Sequence, residues 1–84
     1  MMTHEAEELA GRVRSLRLPA DRTTTVIDLS GIESLAEPDA LALIRAERRF
    51  RANGRELVVV HTSHAVRRQL VALGLLSLVR RPRP

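Results

Sequence analysis

The sequence has no cysteine, tryptophan, tyrosine or lysine, and a single phenylalanine, Phe50, among 84 residues. Without cysteine there can be no disulfide and no thiolate metal site, and the redox state of the compartment leaves no trace. With one aromatic side chain, the core has to be aliphatic, drawn from Leu, Val, Ile and Ala. All 14 basic residues are arginine, a usage that follows GC-rich coding and points to a high-GC bacterial source. No apolar run approaches the roughly 20 residues that a bilayer-crossing helix needs. The start, Met-Met-Thr-His-Glu-Ala-Glu-Glu, is acidic and polar, the wrong pattern for a secretory signal. A cytoplasmic location is expected.

What is present fits one small domain spanning residues 1–84, with residues 79–84 expected to form a disordered basic tail. A chain of this size buries only roughly 60% of the surface its unfolded form exposes. The net charge is +4, and the arginines gather in two places, Arg45/Arg48/Arg49/Arg51 and Arg80-Arg81-Pro82-Arg83-Pro84. Phosphate contact on a nucleic acid is one reading of such clusters. A solvated helix face and a frayed tail is the plainer one, and it is preferred because no aromatic side chain interleaves the arginines to stack on bases.

Periodicity divides the chain into alternating elements. Leu9, Val13 and Leu16 form one apolar stripe on a helix from about Glu5 to Leu16. Acidic residues at its start and Arg14 and Arg17 at its end match the helix dipole. Thr23 to Leu29 is β-branched and apolar and reads as a buried strand. A second helix is expected from Pro38, proline being favoured at the first helical position, to about Ala52, where Asn53-Gly54 stops it. Leu57 to Val60 reads as a second strand, apolar throughout and so covered on both faces. Thr62 or Ser63 caps a third helix, His64 to Leu73, stopped by Gly74. Leu75, Leu76, Leu78 and Val79 form a last apolar piece, a helical turn or a strand. Two strands joined by a helical crossover run parallel, which predicts a layered α/β domain.

Catalytic constellations are scarce. His61 and His64 straddle a strand-to-helix junction with no third metal ligand nearby, and are read as exposed loop residues. No glycine-rich phosphate loop and no serine elbow is present. Asp28 has no catalytic partner in the sequence and is read as turning the backbone beside Ser30-Gly31. No enzyme activity, metal or cofactor is expected. In Ser34-Leu35-Ala36-Glu37-Pro38-Asp39, both Glu37 and Asp39 fall at the positive end of the second helix. As helix-start chemistry alone, each carboxylate there is worth about 0.3–1 kcal/mol.

Asp28-Leu29-Ser30-Gly31-Ile32 resembles the Asp-Leu-Ser-Gly-Val stretch that ends the central strand of STAS (anti-sigma factor antagonist) domains. Ala40 to Asn53 is similar to the family's Leu-, Ala- and Arg-rich helix. Gly54-Arg55-Glu56-Leu57-Val58-Val59-Val60 resembles its following strand, and Ser63 to Leu76 its Ser-Pro-x-Val-Arg-Arg-x-Leu-x-x-x-Gly-Leu ending. The resemblance covers about Glu5 to Val79. It implies a small layered α/β domain, with central parallel strands flanked by helices. It also implies a protein-binding regulator whose partner is an anti-sigma factor or a serine-kinase-like ATPase domain.

Two departures stand out. The family's Asp-Ser-Ser-Gly, whose first serine accepts phosphate, falls on Ala36, Glu37, Pro38 and Asp39. The phospho-acceptor position is therefore Glu37, which has no hydroxyl. The family also usually opens with a strand pair, whereas this sequence opens at the helix. An earlier start or an abbreviated domain would account for that. An open sheet edge, inviting self-association, is expected.

On this resemblance the partner surface comprises Ser34, Ala36, Glu37, Asp39, Arg45 and Arg48, supplemented by Arg49 and Arg51. The alternatives are a structural STAS subunit of a larger transport or signalling complex and, from a different class, a basic nucleic-acid-binding protein.

Overall fold

A computed structural model describes residues 4–18 and 24–79. Of the expected tail 79–84, Val79 is instead held in a bridge to Val59, and Arg80 to Pro84, like Thr23 at the start of the first expected strand, lie outside the described residues. The elements follow in the order α1 (His4–Arg14), β1 (Thr24–Asp28), α2 (Glu37–Ala52), β2 (Glu56–Val60) and α3 (His64–Ala72). A short 3₁₀ helix, Leu76–Leu78, comes last. No helix among them is long and apolar enough to cross a membrane.

Helices α2 and α3 end as the glycines dictate. After α2 the Gly54 amide bonds the Arg51 carbonyl at 3.1 Å and the Arg55 amide bonds Phe50 at 2.8 Å. The end of α3 repeats the pattern, with Gly74 to Val71 at 3.0 Å and Leu75 to Leu70 at 2.8 Å. Both are Schellman closures, which need a left-handed residue. Gly54 and Gly74 supply it at φ 69° and 75°.

Strands β1 and β2 pair parallel, from Thr24 opposite Glu56 to Asp28 opposite Val60. Val59 also bridges Val79, so the last apolar piece is both of the forms expected, a 3₁₀ turn and then a bridging residue. One core gathers Leu9 and Val13 of α1, Ile27 and Leu29, Leu43 and Phe50 of α2, Leu57 and Val59, and Val66 and Leu70 of α3. Alternation along the strands puts Ile27, Leu57 and Val59 on this face. Helices α1 and α2 lie side by side, and just beyond α1 the Leu16 carbonyl accepts a 2.6 Å bond from the Arg49 guanidinium.

The expectation of a strand buried at Thr23 to Leu29 requires correction. In β1 only Ile27 is buried, and Val26 is 57% exposed. The reason is position: β2 lies between β1 and Val79, so among the described residues β1 is the edge strand, covered by helices on one face only. Leu57, Val58 and Val59 of β2 are buried as their unbroken apolar run predicted.

Candidate functional site

The C-terminal ends of β1 and β2 and the N-termini of α2 and α3 meet at one end of the molecule. The connection from Leu29 to Ala36 runs across it. It is tied down from both sides. At its start, Asp28 Oδ1 accepts the Ser30 amide at 2.8 Å and a bond from His61 Nδ1 at 3.1 Å. These bonds, the Ser30 amide first, hold the Asp28 carboxyl below its ordinary value. His61 occupies the left-handed region at φ 59°, which histidine enters more readily than most residues. At the loop's far end, the Gln69 side chain grips both backbone groups of Leu35: Oε1 accepts its amide at 2.7 Å and Nε2 donates to its carbonyl at 3.0 Å. Ser63 completes the tie, its hydroxyl donating to the Glu33 carbonyl at 2.8 Å while accepting the Val66 amide as the cap of α3.

These ties fix where α2 begins. Ala36 is its N-cap, and because alanine has no side-chain acceptor, the only reciprocal arm runs from the Ala36 amide to Asp39 Oδ2 at 3.3 Å. Glu37 is then the first helical residue, one step inside the N-cap position that Pro38 implied. It is exposed, as is Ser34, while Ala36 is half-buried.

Asp39 is placed differently from Glu37. It is only 3% exposed, covered by α1 near Ala10, and its Oδ1 is buried without a hydrogen bond. Burial raises its pKa, opposed by the Ala36 and Ala10 backbone amides. Asp39 is therefore built into the helix start, and the surface a partner can reach excludes it.

Along α2 four of the exposed residues share one stripe. Glu37, Leu41, Arg45 and Arg48 follow at spacings of four, four and three, one face of a helix. Leu41 in its middle is 45% exposed. Arg49 and Arg51, by contrast, are used within the fold. Arg49 reaches the Leu16 carbonyl and lies 5.5 Å from the Phe50 ring centre, and Arg51 pairs with Glu47 at 3.5 Å. The structure thus unites Glu37, Arg45 and Arg48 and sets Asp39 apart.

Leu41, Gln69 and Ser63 were not marked as functional by sequence reasoning. Leu41 could have been found, because its spacing from Glu37 sets it off from the buried Ala42, Leu43 and Ala46. The grip of Gln69 joins residues 34 apart and leaves no local signal. His61 is exposed as expected, but paired with Asp28; His64 is exposed too, at the first position of α3, where the third helix was expected to begin. Among the described residues no cluster of three metal-ligating side chains occurs.

Residues 1–83 match the family model described as the STAS domain. The chain belongs to the STAS family. No curated protein and no solved structure gives a significant match. The STAS assignment covers nearly the whole chain and agrees with the α/β arrangement of two parallel strands and three helices.

Proposed function

We propose that this STAS domain is a non-enzymatic, protein-binding regulator of the anti-sigma factor antagonist type, acting in the cytoplasm on transcription. Its partner is an anti-sigma factor or a related serine-kinase-like ATPase domain. The observation that carries this reading is the place of Glu37. It stands at the phospho-acceptor position in the family register, exposed at the first turn of α2, at the head of the Leu41–Arg45–Arg48 stripe. Leu41 offers an apolar contact, and the two arginines favour an acidic counter-surface and faster encounter. Ser34 and Ala36 border the same end.

Glu37 cannot accept phosphate. A phosphoserine carries about −1.5 to −2 charges, so this carboxylate is a fixed, weaker negative charge at the switch position. The state of this surface is therefore not switched by phosphorylation at this position.

The test is calorimetric titration with a purified anti-sigma factor ATPase domain from the same genome. Wild type is expected to bind, and Glu37→Lys to bind about tenfold or more weakly, a loss of about 1.4 kcal/mol or more. Arg45→Glu should weaken binding as well, while Val71→Ser, on α3, should not. Equal affinity for wild type and Glu37→Lys would refute this surface.

A further inference from the structure

The outer edge of β1 is open among the described residues, and its backbone is set to pair. The Leu29 amide bonds the Val60 carbonyl at 3.0 Å. Backbone direction alternates along a strand, so Thr25, Ile27 and Leu29 face β2. The N–H and C=O groups of Thr24, Val26 and Asp28 then point away from β2, to the open edge. Beside this edge lies a shallow groove, lined by Leu9, Arg12 and Val13 of α1, Leu16 just beyond it, and Val26, Ile27 and Asp28 of β1. The Val26 side chain, on the face away from the core, is 57% exposed.

We propose that this edge pairs with β1 of a second copy of the chain, antiparallel about a two-fold axis at Val26, making one four-stranded sheet from two two-stranded ones. The strand is complementary to its own rotated copy. With Val26 opposite Val26 of the second copy, the outward backbone groups of Thr24, Val26 and Asp28 all find partners. Such opposed residues exchange both hydrogen bonds.

The side chains match too. Val26 already sits beside Val58 across the β1–β2 ladder, so the pairing forms an unbroken row of four valines over the outer face. Each Asp28 lies opposite a Thr24, avoiding the like-charge contact that destabilises cross-strand pairs. A register centred on Asp28 would oppose two carboxylates, which excludes it. Charge thus excludes the Asp28-centred register, and the Val26-centred one pairs all three outward residues within the strand. An unprotected strand edge of this kind is a template for another strand, and here the five-residue strand carries neither proline nor lysine to block it. The inference does not rest on the partner proposed above, because it uses the backbone edge of β1 and not the exposed stripe of α2.

Sedimentation equilibrium of the full chain at tens of micromolar tests it, together with amide hydrogen exchange across a dilution series. The expected result is twice the monomer mass. Val26 and Asp28 amides should be protected in the dimer and lose protection on dilution, while the Ile27 amide stays protected throughout. Val26→Lys should halve the mass by placing two ammonium groups opposite each other. Val26→Pro should do the same by removing only an outward N–H, a substitution edge strands tolerate. Val71→Lys, an exposed α3 position, should leave the dimer intact. A monomeric wild type, a dimer with unprotected Val26 and Asp28 amides, or a Val26→Lys variant that stays dimeric would each overturn the proposal.

Discussion

Asp39 and Glu37 lie two residues apart in the first turn of α2, and burial gives them opposite duties. The buried carboxylate of Asp39 holds its proton more tightly in the folded state than in the unfolded one, where the ordinary value is 3.8. Folded protein then binds the extra proton, and stability rises as pH falls from above the raised value toward 3.8. Asp28 acts in the other direction. Its lowered pKa contributes stability above 3.8 that is lost as acid protonates it. Comparing wild type with Asp39→Asn cancels the Asp28 contribution. Urea unfolding should show wild type gaining on Asp39→Asn between neutral and moderately acid pH, and a pH-independent offset would contradict this account. At this scale the sequence placed both carboxylates at the helix start. It could not separate them, because the separation comes from α1 lying over Asp39, a contact between helices distant in the chain.

Between elements, the decisive contact is the one from α3 to the loop ahead of α2. Gln69 replaces a strand partner for Leu35, bonding both its amide and its carbonyl. Gln69→Ala should cost about 1–3 kcal/mol, since it leaves part-buried backbone groups unpaired. It should also speed amide exchange at Leu35 while leaving the interior of β2 protected. Unchanged exchange at Leu35 would mean that the loop is held by its other ties, Ser63 and the buried Leu35 side chain. Element boundaries were legible where chemistry is local: Asn53-Gly54, Gly74 and Ser63 each end or begin a helix as their side chains or backbone freedom require. The Gln69 tie was not legible, nor was the half-exposed state of β1, since each depends on which elements become neighbours.

At the scale of the whole molecule, the scarcity of aromatics concentrates the core on few residues. Phe50 is fully buried, among Leu9, Leu29, Leu43 and Leu70, the other large buried side chains. Phe50→Ala should cost about 3–5 kcal/mol, a large part of the roughly 5–15 kcal/mol that stabilises a whole domain. Chemical denaturation would show a strongly reduced midpoint, and a change under about 1 kcal/mol would mean that the site refills on truncation. The aliphatic core and parallel α/β order could be read from the pattern of Leu57 to Val60 and of the helices.

The central claim is that this STAS domain presents a fixed, unphosphorylated binding face headed by Glu37. Its most direct test is the affinity for an anti-sigma factor ATPase domain, titrated before and after incubation of the two with ATP and magnesium. The account predicts the same isotherm both times, with no phosphoryl group on the chain by intact mass. Loss of binding after ATP, with phosphate on the loop between Asp28 and Glu37, would contradict it.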